Sequence, residues 1–443
     1  GHITNGVHVP SWDSPWADRL WTEACGKDRW RVTVDTHTEA VARLSDETLW
    51  TVCGTERADL VHYARARLVR QLGQRGAGTE TLAQAQDVLD PNALTLGFAR
   101  RFTEYKRPNL LLHDRERLAR LLTDPGRPVQ LIVAGKAHPQ DRQGKEFIRA
   151  WAEFIQRPDV RAHVVFLEDY DIALAQQLVQ GVDVWINTPR RPWEACGTSG
   201  MKVLVNGGLN LSELDGWWAE AYSADVGWAL GDGREHGEPE WDAVEAGQLY
   251  ALLEHEIVPA FYDRDAGGVP RAWVARMRAS MARLAPQFSS NRMLRDYVEQ
   301  NYLPAARAYR ERVANGGAVA RALHAWETEL HRYWEHIRLG RSEATPAGDA
   351  WRFSIQVYLG DLDADAIVVE LYADPRDADE PAMMPMERTT PLSGATHGYL
   401  YCAQVNAQRP VQDYSVRVVP RHPQASVPID LPLILWSDGR DTS

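Results

Sequence analysis

The sequence of 443 residues predicts an α/β fold in which a doubly wound parallel sheet is followed by a small antiparallel β-sandwich. Three observations lead to this prediction. Between Asn92 and Tyr222, apolar runs alternate with helical patterns, which is typical of parallel strands covered by helices on both faces. Residues 240–340 follow a helical pattern. Beyond them the pattern changes to short strands whose apolar residues alternate with polar ones.

The parallel sheet is predicted from four apolar runs, in chain order NALTLGFARRF, VQLIVAGKA, RAHVVFLEDY and VDVWINTP. Between them lie three helical patterns, RPNLLLHDRERLARLLTD, GKEFIRAWAEFIQR and DIALAQQLVQG. Pro108 falls near the start of the first helix, where a proline is tolerated. Strands that are apolar on both faces, with helices between them, predict a Rossmann-like sheet.

The sandwich is predicted from the last quarter of the chain. In WRFSIQVYL the apolar residues occupy alternate positions, and AIVVELYAD, YLYCAQV, YSVRVVP and DLPLILW continue as short strands between turn residues. This pattern is typical of an antiparallel sandwich of about 100 residues. We expect a Rossmann-like domain over 1–318, a bridging helix over 319–343 and the sandwich over 344–443.

Composition and charge exclude several classes of partner. The net charge of −12 argues against a nucleic-acid backbone as a binding partner. The segment from Arg341 onward carries −7 of this charge, because it contains 15 acidic and 8 basic residues. No run of 18 apolar residues is present, so no membrane-spanning helix is expected.

The chain opens in GHITNGVHVPSW without an initiator methionine, and we expect a fragment or the second half of a longer protein.

Cysteine usage bears on metal binding and compartment. The four cysteines are widely scattered, with neither metal-ligand spacing nor a disulfide framework, so no metal site is expected. No signal-peptide pattern is present, and the sequence therefore predicts a reducing, cytoplasmic location.

Cationic side chains follow the first two predicted strands. ARRFTEYKR brings Arg100, Arg101, Lys106 and Arg107 into one loop, and GKAHP ends the second strand with Lys136. A basic run by itself is more typical of a solvated face. Its position after a strand of a doubly wound sheet, opposite a second anion-binding loop, favours a site for more than one phosphate group.

The fourth strand leads into EACGTSGMK, from Glu194 to Lys202. The backbone N–H groups of Thr198, Ser199 and Gly200 fall at a helix start, where a phosphate can bind. A lysine in this position is usually solvated. In an apolar, cation-rich pocket, however, its pKa falls and it can form a Schiff base with an aldehyde cofactor.

This nonapeptide resembles the pyridoxal-phosphate lysine motif of the α-glucan (glycogen, starch, maltodextrin) phosphorylases, E-A-S-G-T-[GS]-[NG]-M-K. Further motifs occur in the same order as in that family. TNGVHVPSW is similar to T-N-G-[IV]-x-x-x-x-W, RRFTEYKRPNLLL to K-R-[IF]-x-E-Y-K-R-x-L-N, GKAHP to G-K-A-x-P, and FSSNRMLRDY to F-S-S-x-R-x-[IM]. The resemblance covers roughly residues 1–300 and is strongest to the bacterial and archaeal subgroup.

The resemblance implies the cofactor-bearing, carboxyl-terminal Rossmann domain of a GT-B-type enzyme that uses pyridoxal 5'-phosphate. It makes Lys202 the Schiff-base lysine. It implies that the cofactor phosphate is held by Thr198, Gly197 and Arg100, with Trp12 and Tyr170 near the cofactor.

The resemblance also implies the substrate contacts. Arg101 and Lys106 would bind the substrate phosphate, and Glu194 and Asn5 the hydroxyls of the transferred glucose. In this family, phosphate attacks the terminal α-1,4 glucosidic bond and releases glucose 1-phosphate, with the cofactor phosphate as proton-exchanging or electrostatic partner. Two phosphates held nearly in contact repel each other, which explains a ring of Arg and Lys.

The implied partners are an α-1,4-glucan, inorganic phosphate or glucose 1-phosphate, and a missing amino-terminal domain. Homo-oligomerisation stays open. Because GT-B enzymes react between two Rossmann domains, we expect the 443-residue chain alone not to turn over glucan. For the sandwich, a packing or assembly role is favoured over glucan binding.

Three positions depart from the family pattern. Arg100 stands where many members have Lys, which keeps the charge but alters the donor geometry. Asp171 follows Tyr170 where classical members carry Arg, which removes one expected contact to the cofactor phosphate. Cys196 replaces a serine.

Two other functions stay open at this point. A nucleotide-sugar glycosyltransferase of the same fold, such as a glycogen-synthase relative, uses similar basic residues at its strand ends. Such enzymes lack a cofactor lysine after a Gly-Thr-Ser-Gly helix start. The second alternative is a non-catalytic binding chain derived from the fold.

Overall fold

The structure is a computed structural model of the 443-residue chain, and the residues that it describes are 2–31, 37–236, 240–375 and 381–437. The chain divides into two compact units, Gly1–Glu299 and Gln300–Ser443. The predicted domain limits at residues 318 and 343 stay predictions. Among the helices of the described ranges, none combines the length and the apolar character needed to cross a membrane.

A six-stranded parallel sheet forms the centre of the first unit. Its strands are β1 (Leu94–Arg101), β2 (Val129–Lys136), β3 (Val164–Leu167), β4 (Val184–Asn187), β5 (Leu209–Glu213) and β6 (Gly227–Leu230). Their order in space is β3-β2-β1-β4-β5-β6, and every neighbouring pair is parallel. The prediction of a doubly wound parallel sheet is confirmed. The strand order reverses between β1 and β4, which opens a crevice at the carboxyl ends of these strands.

The first unit also contains the helices that connect and surround these strands. They are α1 (Pro15–Cys25), α2 (His37–Ala42), α3 (Asp46–Gln74), α4 (Thr79–Gln86), α5 (Arg115–Leu122), α6 (Arg142–Ile155), α7 (Ile172–Gly181), α8 (Thr198–Leu204), α9 (Trp217–Ala221), α10 (Glu240–Leu252), α11 (Val258–Tyr262), α12 (Arg271–Gln287) and α13 (Ser290–Tyr297). Helix α3, with 29 residues, was not predicted; the Ser45 side chain caps it by accepting from the Thr48 N–H.

The strands are buried because they are apolar on both faces. Every residue of β1 except Arg101, and every residue of β2 except Lys136, is buried. Both exceptions lie at the carboxyl end of their strand, where the sheet meets solvent. The sequence pattern therefore places the cations at one edge of the sheet.

The first predicted helix begins later than the sequence suggested. Arg107 has a left-handed φ of 46°, and Leu110–Leu112 form a short 3-10 turn. Helix α5 begins at Arg115 because the Asp114 side chain accepts a 2.9 Å hydrogen bond from the Arg117 N–H. The prediction of a helix from Arg107 onward is wrong in its first turns.

The second unit contains helix α14 and two antiparallel sheets. Helix α14 (Leu303–Tyr333) is interrupted at residues 314–317, where the backbone leaves the helical conformation. The strands are β7 (Arg338–Ala347), β8 (Ala350–Tyr358), β9 (Ile367–Ala373), β10 (Ala382–Pro385), β11 (Glu387–Pro391), β12 (Gly398–Asn406), β13 (Tyr414–Pro420) and β14 (Leu435–Trp436). They form sheets of order β10-β9-β13-β14 and β11-β12-β8-β7.

Both sheets contribute to one hydrophobic core, which confirms the predicted sandwich. Ile355 and Val357 of β8 are buried together with Val369 of β9 and Val418 of β13. Two sequence assignments were wrong. The helix predicted to residue 340 ends at residue 333, because residues 338–347 pair with β8 as a strand. In DLPLILW, the strand comprises residues 435 and 436.

Candidate active site

The carboxyl end of β1 presents two arginines with different surroundings. Arg100 is buried within the sheet, whereas Arg101, the last residue of β1, is exposed. Arg100 pairs in register with Gly135, and Arg101 with Lys136. A Cβ atom at Gly135 would lie 2.2 Å from the Arg100 carbonyl oxygen, so glycine is needed for this close approach.

Lys106 and Glu194 form a buried ion pair at this edge. The Lys106 ammonium donates to Glu194 Oε2, and Arg100 Nη2 lies 3.7 Å from the same oxygen. The Glu194 N–H donates a 2.8 Å hydrogen bond to Asp215 Oδ2, which fixes the backbone of the loop. The structure therefore brings together three of the residues that the sequence singled out.

The Arg100 guanidinium has unused hydrogen-bonding capacity. Its Nε and Nη1 atoms are buried and have no hydrogen-bond partner within the described part of the chain. Burial lowers the pKa of this arginine, and the Glu194 carboxylate opposes the shift. Buried donors without partners are costly, and an anion bound beside them would satisfy them.

Lys202 lies on α8, between the fully buried Met201 and Val203. The helix is preceded by Gly197, whose left-handed φ of 86° is readily adopted by glycine. Lys202 Nζ lies 3.7 Å from the centroid of the Trp12 ring. Burial lowers the pKa of the Lys202 amine below its ordinary value, which favours the neutral, nucleophilic form.

A buried asparagine links Trp12 to the lysine helix. Asn206 Nδ2 donates to the carbonyl oxygens of Trp12 at 3.0 Å and of Lys202 at 3.1 Å, and Oδ1 accepts from the Ser14 N–H at 2.8 Å. Asn206 was not predicted from the sequence. Its signal was an amide side chain four residues after the lysine, where the helix pattern is otherwise apolar.

Tyr170 and Asp171 differ in their roles. Burial raises the pKa of the half-buried Tyr170, and the charge of Arg100 opposes the shift. The Asp171 side chain caps α7 by accepting a 2.8 Å hydrogen bond from the Leu174 N–H. The acid that replaces the family's arginine therefore has a structural task at a helix start.

The remaining predicted residues lie nearer to solvent. Asn5 is exposed and hydrogen-bonds to Cys196, where it opposes the rise in the thiol pKa that burial causes. Thr198 is the first residue of α8, which is seven residues long. Lys136 is exposed, and its Nζ lies 3.9 Å from Asp169 Oδ1.

Arg107 does not join the cationic site that the sequence predicted. Its guanidinium is buried and turns inward, where it bonds to Glu213 at 2.9 Å, to Asp242 at 3.1 Å and to Glu245. Acidic side chains from distant parts of the chain bind this guanidinium, and the sequence around Arg107 does not predict these contacts.

A parallel sheet of this strand order, with cations at its switch point, defines the class of doubly wound open α/β proteins, in which ligands bind at the carboxyl ends of the strands. Residues 65–226 match the family model described as carbohydrate phosphorylase, and residues 334–438 match that of the glycogen phosphorylase C-terminal domain.

Curated relatives agree with the family models. The chain is 39% identical to the glycogen phosphorylase of Mycobacterium tuberculosis, over 98% of this chain and 51% of the relative. It is 35% identical to the maltodextrin phosphorylase of Thermococcus litoralis, over 98% of this chain and 52% of the relative. The glycogen phosphorylase of Aquifex aeolicus is 41% identical over 68% of this chain and 43% of its own length.

The chain belongs to the carbohydrate phosphorylase family. It spans about half the length of the curated relatives it matches.

Proposed function

We propose that this chain is the cofactor-bearing half of an α-1,4-glucan phosphorylase that releases glucose 1-phosphate from glycogen or maltodextrin. The observation that supports this most is the buried Arg100 guanidinium, which has two unpartnered nitrogens beside the Lys106–Glu194 pair. Such an arrangement fits a bound phosphate. The names of the relatives, glycogen and maltodextrin phosphorylase, support the choice of substrate.

The residues present fit pyridoxal 5'-phosphate. Lys202 has a lowered amine pKa and would carry the cofactor, with the Trp12 ring against its side chain. The unpartnered donors of Arg100, with Gly197 and Thr198, would hold the cofactor phosphate. When bound, the cofactor would supply a phosphate group that exchanges a proton with, or stabilises, the substrate phosphate.

The chain's own residues would bind and orient the substrates. Arg101 and Lys106 would bind the substrate phosphate, and Glu194 and Asn5 the hydroxyls of the transferred glucose. Lys106 and Glu194 now bond to each other, so substrate binding would exchange part of that ion pair for bonds to phosphate and sugar. Before substrate binds, each charge of the pair is thus neutralised by the other, so neither charged group is buried without a partner.

Cofactor attachment is tested by loading the chain with pyridoxal phosphate, reducing it with borohydride and mapping the peptides by mass spectrometry. We expect the adduct on the peptide that contains Lys202, and none after Lys202→Arg. The peptides of Lys106 and Lys136 serve as internal controls for non-specific labelling. An adduct confined to another lysine contradicts the assignment. A chain that forms no adduct favours the nucleotide-sugar glycosyltransferase instead.

The substrate phosphate contacts are tested in the complete enzyme with Arg101→Ala. A charge-assisted hydrogen bond contributes about 1.5–3 kcal/mol, so kcat/KM for phosphate should fall at least about tenfold while the cofactor stays bound. Unchanged phosphate kinetics contradict the role of Arg101.

The division of labour between the two halves is tested by assaying glucose 1-phosphate release with and without an added amino-terminal half. We expect turnover when both halves are present, and none from the 443-residue chain alone. Release by this chain alone would show that the active site does not lie between two domains.

The four cysteines are free thiols, which fits the proposed cytoplasmic location.

A further inference from the structure

We propose that Arg107 is a positioning residue: it locks together the two loops that carry Lys106 and Glu194. The identity of the substrate in this inference rests on the proposed function. The role of Arg107 in joining the two loops rests on contacts within the first unit and does not depend on the proposed function. We define the Arg107 lock as the bonds that join residues 105–107 to residues 188–190.

The lock begins with an unusual backbone. Arg107 follows Lys106 directly and has a φ of 46° and a ψ of 54°, a left-handed conformation that non-glycine residues seldom adopt. This conformation ends the 3-10 turn Glu104–Lys106 and directs the Arg107 side chain inward. The Lys106 side chain extends to Glu194 instead. Consecutive cations thus serve two different purposes.

The guanidinium then holds the start of the second loop. Arg107 Nε donates to the Thr188 carbonyl oxygen at 2.9 Å, and Nη2 donates to the Pro189 carbonyl oxygen at 2.9 Å. Thr188 and Pro189 come directly after β4, at the base of the loop that leads to Glu194. One side chain therefore satisfies two carbonyl groups that the end of a strand leaves without ladder partners.

Bonds in the opposite direction complete the lock. Thr188 Oγ1 lies 3.2 Å from the carbonyl oxygens of both Lys106 and Arg107. The Arg190 N–H donates a 2.6 Å hydrogen bond to the Tyr105 carbonyl oxygen. The two loops are therefore joined at several points, on either side of Lys106 in the first loop and ahead of Glu194 in the second.

Carboxylates behind the lock fix the orientation of the guanidinium. Glu213 Oε2 accepts from Nη2 at 2.9 Å, and Asp242 Oδ1 from Nη1 at 3.1 Å, while Glu245 also bonds to Nη1. Asp242 also accepts from Arg190 Nη2 at 2.8 Å, which ties a second arginine of the loop to the same cluster. A planar guanidinium can serve these acceptors simultaneously, whereas a lysine ammonium cannot.

Small displacements of the functional side chains have large effects on rate. A misplacement of about 1 Å can lower a rate by about 100-fold. Because Lys106 lies one residue before Arg107 and Glu194 lies beyond the locked residues 188–190, loosening the lock would shift both. Arg107 itself is buried at 5% exposure behind them, and acts through them.

The test in the complete enzyme is Arg107→Lys, which keeps the charge and removes the planar fork. We expect kcat/KM for phosphate to fall at least about tenfold with the cofactor retained, in line with the sensitivity of positioned groups. In a Lys106→Ala background the same substitution should cost less than about threefold, because neighbouring residues that act together are not additive. Equal losses in both backgrounds overturn the inference.

A matched control is available in Arg57→Lys. Arg57 is also a buried arginine, bonded to the Pro91 carbonyl oxygen at 2.8 Å and to Asp183, and it belongs to neither loop. It should lower stability while leaving kcat/KM for phosphate within about twofold. A comparable fall in the control would show that general destabilisation explains both results and would overturn the inference.

Hydrogen exchange of the 443-residue chain gives a readout that needs no turnover. Residues 188–194 should exchange faster in Arg107→Lys than in the wild-type chain, and at an unchanged rate in Arg57→Lys. Unchanged exchange in Arg107→Lys overturns the lock. If Arg107→Lys does not fold, Thr188→Val removes the hydroxyl contacts and takes its place. A wild-type enzyme without phosphate-dependent turnover overturns the proposed function, and exchange still decides whether Arg107 joins the loops.

Discussion

Arg100 and Arg107 lie seven residues apart, at the same edge of one sheet, and both are buried, yet their surroundings are opposite. Two nitrogens of Arg100 have no partner in the described chain, and its closest carboxylate oxygen is 3.7 Å away. Arg107 bonds to three acidic side chains and two carbonyl oxygens. Arg100 therefore has donors available for an anion, whereas all the donors of Arg107 bond to other residues of the chain.

Electrostatics follow the same division. Burial lowers the pKa of Arg100, and the opposing charge of Glu194 only partly offsets this shift. Burial acts on Arg107 in the same direction, but Glu245 and Glu213 outweigh it and raise the pKa of Arg107. A cation's position at a strand end therefore does not decide its use. The carboxylates that reach it decide, and they come from β5 and α10.

Removing each arginine should separate the two environments most clearly. Arg107→Met should lower the free energy of unfolding by about 3–5 kcal/mol, because it leaves buried carboxylates without their counter-charge. Arg100→Met, measured without added anion, should be neutral or stabilising, because it removes buried donors that lack partners. Urea unfolding followed by tryptophan fluorescence measures both. Equal losses would contradict the comparison.

In the chain without cofactor, added inorganic phosphate should occupy the position proposed for the cofactor phosphate and stabilise the chain through Arg100. At a concentration of inorganic phosphate 100 times its Kd, the free energy of unfolding should rise by about 2.7 kcal/mol. Arg100→Met should abolish most of this gain, and Arg57→Lys should keep it. Thermal unfolding at constant ionic strength measures the effect. A gain that is unchanged in Arg100→Met would place the anion elsewhere.

The pH dependence of stability should report on the carboxylates beside Arg107. Burial, reinforced by the Glu245 carboxylate, raises the pKa of Glu213 from 4.5 to about 9. The folded chain therefore keeps a proton that the unfolded chain releases, so this contribution to stability is present at low pH and is lost as pH rises from about 5 to 9. Glu213→Gln should flatten the slope. An unaltered slope between pH 6 and about 9 would contradict a protonated Glu213.

The smallest effect concerns the acid that replaces the family's arginine. Asp171→Ala should lower the free energy of unfolding by about 1 kcal/mol through loss of the α7 cap, and Asp171→Asn should restore most of it. Neither should weaken phosphate stabilisation of the chain. Weaker stabilisation by phosphate in both variants would show that position 171 belongs to the anion site.

The sequence alone predicted where the candidate site would lie. Apolar runs alternating with helical patterns predicted a parallel sheet, and parallel strands bring their carboxyl ends to one edge. Arg100 and Arg101 end β1 and Lys136 ends β2, so their approach to one another needed only the register of the two strands. The lysine motif on α8 was equally visible, because it is contiguous in the chain.

The tertiary structure decided what each cation does there. Arg107 was predicted beside Lys106 in one cationic loop, but its acceptors Glu213 and Glu245 lie 106 and 138 residues further along the chain. Asn206 shows the same limit, since its bonds to Trp12 and Ser14 span more than 190 residues. Strand patterns arise from neighbours in sequence, whereas the partner of a buried charge is fixed only when distant elements pack and water is excluded.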